Sequence, residues 1–339
     1  MKYRFDFRPY QRKFKQPLKT SHGSWKVREG IILRLTDEAN YVGFGEIAPL
    51  IWFVSESFEQ ALDFCRQLPS EITTDDVFAI PSELPASQFG FESAWEAVSL
   101  FQFEENKKNF QTNKQITFSG LLPSGKAALD EWKILWDQGY RTFKWKVGIA
   151  PIQDEIKIFY NLAKQLPSEA KLRLDANGGL SFVEADEWLR VCDRIGIEFF
   201  EQPLPAAQIN EIFSLSKRHS TLLALDESVA NLYQIKACYQ QGWRGVFVIK
   251  PAIIGSPKLL RQFCQKYQID AVFSSVFETS IGKQAGLRLA VELCKNCRAA
   301  GFGVSNWFMK NDFLSEPEAT SFELGDYSNI NSQDIWKYL

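Results

Sequence analysis

FKWKV, residues 143–147, places two lysines one residue apart inside a hydrophobic stretch. Successive side chains of a β-strand point to opposite faces. The pattern therefore predicts that the three apolar side chains point one way and that Lys144 and Lys146 point the other way. Two cations on one face of a largely buried strand need partners, and the segments that follow provide candidates.

Short β-like runs recur after this point, and helical patterns separate them. Eight runs share this character: ITFSG (116–120), TFKWKV (142–147), KLRLDA (171–176), IEFFEQ (197–202), LLALDE (222–227), GVFVIK (245–250), DAVFSS (270–275) and GFGVS (301–305). Eight strands alternating with helices over roughly 200 residues match a (β/α)₈ barrel. A doubly wound open sheet is the main alternative because it uses the same units, but the even spacing favours closure.

The first 110 residues predict a small α+β unit. Tyr3, Phe5 and Phe7 alternate with charged residues, as expected of a half-buried strand, and residues 31–35 repeat the alternation. GFGEIAP (43–49) is predicted to be a glycine-bearing turn and loop. Apolar residues at helical spacing predict two helices, carried by Phe58, Ala61, Leu62 and Cys65, and by Phe91, Ala94, Trp95 and Val98. The polar stretch 105–115 is the expected linker.

Composition narrows the class of function. The chain has 339 residues and a formal net charge of −2, which gives no reason to expect nucleic acid or an anionic membrane as a partner. No apolar run approaches the roughly 18–20 residues that span a bilayer, and MKYRFDFR has no apolar signal region. We therefore expect a cytoplasmic protein. The sequence leaves the oligomeric state undetermined.

Cysteine and histidine offer little for catalysis. Among six cysteines, Cys294 and Cys297 form the one CxxC pair, and we expect them one helical turn apart as reduced structural thiols. The two histidines, His22 and His219, are distant in sequence and have no evident nucleophile beside them. Ser-His and Cys-His chemistry is therefore disfavoured, and other side chains must transfer protons.

Charged residues end five consecutive predicted strands, 24 to 29 residues apart. They are Lys146, Asp175, Glu201, Asp226 and Lys250. In a barrel these residues meet at the C-terminal mouth, where barrel enzymes have their active sites. A single charge at a strand end is common because a loop begins there, but five in register indicate one site.

The three carboxylates predict a metal centre. Crowding Asp175, Glu201 and Asp226 in a partly dry pocket is unfavourable by several kcal/mol per ion unless a cation lies among them. An all-oxygen set without histidine or cysteine suits octahedral Mg²⁺, with Mn²⁺ as the other candidate. A solvated acidic rim is the alternative without a metal.

The lysines then acquire a catalytic interpretation. Lys144 and Lys146 lie about 6.5–7 Å apart along one strand face. At an effective dielectric constant near 20 they repel by roughly 2.4 kcal/mol, which favours a neutral form of one of them. Lys146, nearer the mouth, is the predicted general base, and Lys144 modulates it. The expected substrate is a small-molecule carboxylate that binds the metal and loses its α-proton, while Lys250 protonates the opposite face or holds the developing negative charge.

The order of these motifs resembles that of a known family. KxK at 144–146, then LRLDAN, EQP, LDES and IKP, resembles the enolase superfamily, muconate-lactonising subgroup. Eight blocks are similar to those of its 2-succinylbenzoate synthase family: GEIAPL, SGLLP, GYRTFKWKVG, LRLDANGG, FFEQPLP, LALDES, KPAIIGSP and SSVFETSIG.

This resemblance implies a (β/α)₇β modified TIM barrel with an N-terminal α+β capping domain. The implied divisions are 1–110 for the capping domain, 111–310 for the barrel, and 311–339 for a segment that packs back on the cap. The implied reaction is syn dehydration of 2-succinyl-6-hydroxy-2,4-cyclohexadiene-1-carboxylate to 2-succinylbenzoate, in menaquinone and phylloquinone biosynthesis. Lys146 would serve as base and then as acid, and Lys250 would stabilise the enediolate.

The resemblance also suggests residues that contact the substrate. Asn177 matches the family's DxN, and Ser274 and Ser275 match positions that touch the succinyl chain. The alternative for the two serines is that their hydroxyls bond the backbone at a strand end. GFGEIAPLIWF (43–53) is expected to form part of a lid.

Other functions remain open at this point. N-succinylamino-acid racemases and dipeptide epimerases have the same two lysines and three ligands, although a racemase needs both lysines as bases. GLLPSGKA (120–127) almost fits a phosphate-binding loop, but Ala127 replaces the required Ser or Thr. A nucleotide-hydrolysing protein and a non-catalytic barrel are the remote alternatives.

Overall fold

The N-terminal part of the chain forms a four-stranded antiparallel sheet with helices packed against it. The computed structural model describes residues 1–20, 23–103, 115–296, 298–304, 307–308, 319–323 and 332–339. The sheet has the order β3-β2-β1-β4. Its elements are β1 (Lys2–Thr20), β2 (Gly23–Asp37), β3 (Val42–Ile47), α1 (Phe58–Gln67), β4 (Glu71–Thr73), α2 (Thr74–Phe78) and α3 (Pro85–Phe103). The predicted strands and both predicted helices of this unit are confirmed.

The prediction that GFGEIAP is a turn was wrong, because most of it is strand β3. This strand needs glycine at two positions because α3 packs very close to it. A Cβ at Gly43 would overlap the carbonyl oxygen of Ala94, and a Cβ at Gly45 would overlap that of Gly90. The two glycines therefore allow a helix to pack directly on the sheet, which a local reading of the sequence cannot show.

The second part of the chain is a parallel sheet wrapped by helices. Seven strands pair in chain order, each parallel to the next. After the short β5 (Gln115–Thr117), these strands are β6 (Ser119–Leu122), β7 (Thr142–Lys146), β8 (Lys171–Asp175), β9 (Phe199–Glu201), β10 (Leu223–Leu225), β11 (Val246–Ile249) and β12 (Ala271–Phe273). The helices are α4 (Ala128–Asp137), α5 (Ile152–Gln165), α6 (Phe182–Ile195), α7 (Ile209–Arg218), α8 (Leu232–Gln240), α9 (Pro251–Ile254), α10 (Pro257–Tyr267) and α11 (Ser280–Leu293).

The predicted eighth strand closes the sheet into a barrel. Ala300 bridges in parallel to Phe118 at the first strand, and Gly301 bridges in parallel to Ser274 beyond the seventh. The amide of Gly301 also donates to the carbonyl of Phe273 at 2.8 Å. Seven strands that are each followed by a helix and an eighth that bridges the first and the seventh make a closed ring, so the (β/α)₇β barrel is confirmed and the open sheet is excluded.

The end of the chain returns to the N-terminal sheet. Strand β13 (Ser321–Glu323) pairs with β5, and helix α12 (Ser332–Tyr338) places Trp336 on the sheet. The guanidinium groups of Arg8 and Arg34 each lie 4.4 Å from the Trp336 ring centre, so two cations face one indole. Of the expected C-terminal segment 311–339, only 319–323 and 332–339 are described, and the expected linker lies outside the described residues except for Gln115.

The cysteines have structural surroundings. Helix α11 ends at Leu293, so Cys294 caps the helix rather than lying within it, which corrects the predicted helical placement. Cys297 and His22 lie outside the described residues. The five described cysteines are free thiols. Burial raises the pKa of Cys65 to about 12 and that of Cys238 to about 11. None of the described helices is long and apolar enough to cross a membrane.

Candidate active site

Strand β7 confirms the two faces expected for FKWKV. Phe143 and Trp145 are fully buried, whereas Lys144 and Lys146 are half-buried on the other face. Lys146 pairs in register with Asp175 on β8. Asp175 in turn pairs with Glu201 on β9, so three neighbouring strands end level with one another.

The structure brings the predicted charged residues together at this end of the barrel. The Lys144 ammonium lies 2.9 Å from Asp175 Oδ2 and 2.9 Å from Glu201 Oε1. The Lys250 ammonium donates to Asp226 Oδ1. The residues Asp175, Glu201 and Asp226 are only 1%, 2% and 4% exposed. Lys144 and Lys250 are therefore the cation partners that the buried carboxylates require.

The carboxylates perturb one another strongly. Burial raises the pKa of Glu201 to about 7, and the negative charge of Asp175 adds to the effect. Burial also opposes ionisation of Asp175, but the ammonium groups of Lys144 and Lys146 outweigh it and hold its pKa below the ordinary value. Burial lowers the pKa of Lys144, yet Asp175 and Glu201 more than reverse this and raise it above the ordinary value. Lys144 is therefore a firmly held cation.

Glu227 is a fourth carboxylate at the site, and it is not among the residues predicted from the sequence. Its Oε1 accepts from Asn177 Nδ2 at 3.1 Å, and its buried Oε2 has no hydrogen-bond partner among the described residues. Burial, followed by the charges of Asp226 and Asp175, raises the pKa of Glu227 to about 8. Its place directly after Asp226 in LDES was the available signal.

The residues present fit a hard divalent cation. Four carboxylates lie near one another at this end of the barrel, and Glu227 Oε2 is a buried oxygen with no hydrogen-bond partner among the described residues, so the site can accept further positive charge. All the candidate ligands are oxygen atoms, as Mg²⁺ prefers. In the part of the chain that the structure describes, no three acidic, His or Cys side chains stand at metal-binding distances. Lys144 and Lys250 instead engage the carboxylates that would bind the ion.

Asn177 lies next to the candidate ligands. Its backbone has a φ of 44°, in the left-handed region that asparagine tolerates better than most residues. Its backbone amide donates to Asp175 Oδ1 at 3.0 Å, while its side-chain Nδ2 donates to Glu227 Oε1. Asn177 therefore orients two carboxylates, and its contact with substrate stays a prediction.

The two serines after β12 have different surroundings. The Ser275 hydroxyl donates to Glu278 Oε2 at 2.9 Å and accepts from the amide of Phe277 at 2.9 Å. It therefore bonds the backbone at the strand end, as in the alternative interpretation. Ser274 is half-buried beside Gly301. Substrate contact stays a prediction for both.

Aromatic side chains from several segments lie over the mouth. The expected lid segment contains a 3₁₀ turn, Ile51–Phe53, and the Phe53 ring centre lies 4.1 Å from Lys250 Nζ. Beside it is a cluster that we call the aromatic roof, in which the centres of contacting rings are 4.8–6.3 Å apart: Phe14, Trp25, Trp52, Phe277 and Phe308. Of these five rings only Trp52 lies in the lid segment expected from the sequence, because the other four come from distant segments.

Comparison with known proteins agrees with this geometry. Residues 127–322 match the family model described as enolase C-terminal domain-like, and residues 8–98 match the one described as MenC, N-terminal domain. The o-succinylbenzoate synthase of Thermosynechococcus vestitus is 40% identical over 311 residues, which is 90% of this chain and 93% of that protein.

Two solved structures extend the comparison. The crystal structure of o-succinylbenzoate synthase from Thermosynechococcus elongatus BP-1, complexed with magnesium in the active site, superposes with a TM-score of 0.85. It is 38% identical, and the match covers 99% of this chain and 100% of the other. The L-Ala-D/L-Glu epimerase of Bacillus subtilis superposes with a TM-score of 0.76 at 19% identity, covering 94% of this chain and 95% of the other, and shares the fold alone.

The capped barrel and its matching family model define the class, and the chain belongs to the enolase superfamily. Identity of 40% over nine-tenths of the chain narrows this further. The chain is a member of the o-succinylbenzoate synthase family.

Proposed function

We propose that the protein is a Mg²⁺-dependent hydro-lyase that converts 2-succinyl-6-hydroxy-2,4-cyclohexadiene-1-carboxylate to 2-succinylbenzoate. The observation that carries this proposal is the 40% identity to a protein named o-succinylbenzoate synthase over 90% of the chain. The match to the MenC N-terminal domain supports a place in menaquinone biosynthesis. A role in phylloquinone synthesis and a cytoplasmic location stay predictions.

The candidate ligands of the metal are Asp175, Glu201 and Asp226. Bound Mg²⁺ would act as a Lewis acid toward the substrate carboxylate and so make the neighbouring C–H bond more acidic. Mn²⁺ is the other ion suited to the same oxygen donors. The magnesium in the related crystal structure supports this assignment.

Lys146 is the proposed base. Within the described residues it forms no hydrogen bond or ion pair, whereas Lys144 and Lys250 both engage carboxylates. The Lys146 amine would take the α-proton and then return it to the departing hydroxyl on the same face. The C–H and C–O bonds break, water leaves, and the ring becomes aromatic. Lys144 would remain a fixed cation between Asp175 and Glu201.

Lys250 is proposed to hold negative charge from the opposite side. Lys146 ends the second barrel strand and Lys250 follows the sixth, so the two lysines are half a turn apart around an eight-stranded ring. The face of Phe53 lies on the Lys250 ammonium, an arrangement that favours a cation. A charged Lys250 suits a dehydratase, which requires only one base.

We also propose that the chain divides functionally at the boundaries expected from the sequence. Residues 1–110 would form the cap, 111–310 the catalytic barrel, and 311–339 the segment that returns to the cap. The separate antiparallel and parallel sheets support this division, as does the contact of Trp336 with the N-terminal sheet.

The test is turnover of the cyclohexadiene carboxylate by wild type, Lys146→Ala and Lys157→Ala, each with Mg²⁺ and with EDTA. Lys157 is a matched control because its side chain is 72% exposed on α5. We expect Mg²⁺-dependent dehydration that is lost in Lys146→Ala and unchanged in Lys157→Ala. A folded, metal-loaded wild type that does not dehydrate this substrate would refute the proposal. Exchange of the α-proton of N-succinylamino acids in D₂O would then test racemisation.

A further inference from the structure

The loop that follows the seventh barrel strand is held by a buried carboxylate of the N-terminal sheet. We call residues 276–282, which comprise the loop after β12 and the first turn of α11, the seventh-strand loop. Glu46, on β3, is fully buried, and its carboxylate accepts from the amides of Thr279 and Gly282 at 2.9 Å. It also accepts from the hydroxyls of Thr279 and Tyr10. A charged acceptor with this many donors forms a strong, specific attachment.

Two buried arginines of the same sheet bind the loop backbone. Arg12 Nη1 donates to the carbonyl of Glu278 at 3.1 Å, and Arg28 Nε donates to the carbonyl of Val276 at 3.1 Å. Arg12 is 4% exposed and Arg28 is 2% exposed. Arginines of the N-terminal sheet therefore bind the backbone on both sides of Phe277, at Val276 and at Glu278.

Phe277 needs this support because its backbone is strained. Its φ is 63°, in the left-handed region that bulky side chains rarely adopt. Such a conformation persists only where the surroundings determine it. The Phe277 ring packs against Phe14 and Trp25, and Trp25 contacts Trp52, the neighbour of Phe53 over Lys250. The shape of the loop thus affects the roof over the reacting groups.

We propose that Glu46 is a positioning residue for the dehydration reaction. It locks the seventh-strand loop so that Phe277 completes the aromatic roof and Ser275 keeps its place beside the mouth. Glu46 acts through the loop and does not itself contact substrate. The inference rests on the proposed function for its kinetic consequence, but its structural consequence can be measured without any substrate.

The experiment compares Glu46→Gln with Glu92→Gln. Glu92 is a matched control because it is also a buried carboxylate of the N-terminal unit, 3% exposed, that accepts from a barrel amide, Lys258 N at 3.0 Å. Its barrel partner lies on α10, away from the seventh-strand loop. Both substitutions retain side-chain shape and remove one charge from the interface, so their thermal destabilisation provides a common scale.

Two readouts distinguish positioning from stability. We expect Glu46→Gln to raise KM by about tenfold with kcat changed far less, because weakened charge-assisted hydrogen bonds release the roof before substrate binds. Amides of 276–282 should exchange with D₂O at least about tenfold faster. Glu92→Gln should leave KM, kcat and exchange of this loop within about twofold of wild type, since its hydrogen bond lies elsewhere.

A second variant keeps the test decisive if Glu46→Gln does not fold. Thr279→Val removes the hydroxyl that donates to Glu46 and should give a smaller change in the same direction. Unchanged loop exchange in the folded variants, or equal KM effects in Glu46→Gln and Glu92→Gln, would overturn the proposal. If wild type does not dehydrate the substrate, the proposed function fails, and the exchange readout still decides whether Glu46 holds the loop.

Discussion

Replacing Lys144 with methionine tests the electrostatic core of the site. The substitution retains most of the side-chain volume but removes the ammonium that lies 2.9 Å from both Asp175 and Glu201. Removing one partner of a buried pair destabilises a protein by about 3–5 kcal/mol. The Lys144 side chain is 21% exposed, so the lower end applies, about 3 kcal/mol. At about 2 °C per kcal/mol for a chain of this size, Tm should fall by about 6 °C.

Magnesium should rescue the variant more than it stabilises wild type. In wild type an ion at the proposed ligands would compete with the Lys144 ammonium for Asp175 and Glu201, whereas in Lys144→Met it would take the place of the missing cation. Scanning calorimetry with EDTA and with saturating Mg²⁺ measures both shifts. Lys157→Met is the control, since its exposed pair with Asp154 contributes about 0–1 kcal/mol. If the Tm of Lys144→Met in EDTA equals that of the control, or if Mg²⁺ raises the Tm of the variant no more than it raises that of wild type, the assignment of Lys144 as the resident cation is wrong.

Three further predictions follow from other contacts. If the proposed ligand Glu201 binds the ion, Mg²⁺ affinity should rise between pH 6 and 8, because burial raises the pKa of Glu201 to about 7 and the carboxyl must lose its proton first. Calorimetry at pH 6 in buffers of different ionisation enthalpy should then detect proton release on Mg²⁺ binding, and the absence of proton release would contradict this prediction. Burial raises the pKa of Asp193, but hydrogen bonds from Thr221 and His219 outweigh this effect and lower the pKa to about 2, below the value in the unfolded chain. Ionised Asp193 should therefore stabilise the fold above about pH 4, and this stabilisation should be lost as the pH falls toward 2. The free energy of unfolding of Asp193→Asn should accordingly depend less steeply on pH in this window than that of wild type. Phe53→Leu removes the ring over Lys250 and should lower kcat/KM about two- to tenfold at unchanged Tm; an unchanged kcat/KM would show that the ring contributes nothing to catalysis.

The barrel and the core of its site could be predicted because the relevant information is local. Each β-like run is short, and its final charged residue marks the mouth whatever the rest of the fold does. Lys146, Asp175 and Glu201 end adjacent strands that the structure pairs in register. Regular spacing of βα units converts such local patterns into a common location.

Contacts between distant segments could not be predicted in this way. The glycines of GFGEIAP predict a turn when only the local sequence is considered, whereas in the structure they allow α3 to pack close to the strand. Glu46 bonds Thr279 across 233 residues of sequence, and Phe14 meets Phe277 across a similar separation. Neither pairing has a periodicity or a spacing to reveal it. Glu227 differs in kind, because its chemistry depends on how deeply a strand-end loop is buried.

The two lysines of FKWKV show how position along one strand separates two roles. From the sequence alone, the expected interaction between them is mutual repulsion of roughly 2.4 kcal/mol at about 7 Å and a dielectric constant of about 20. At the same dielectric constant, an ion pair at 2.9 Å attracts by roughly 5.7 kcal/mol, and Lys144 has two such pairs. Attraction to the carboxylates therefore dominates and fixes Lys144 as a cation. Lys146, two residues nearer the mouth and level with Asp175, makes no comparable pair within the described residues. The deeper lysine pairs with the carboxylates, and the outer one, which has no such pair within the described residues, is the proposed base.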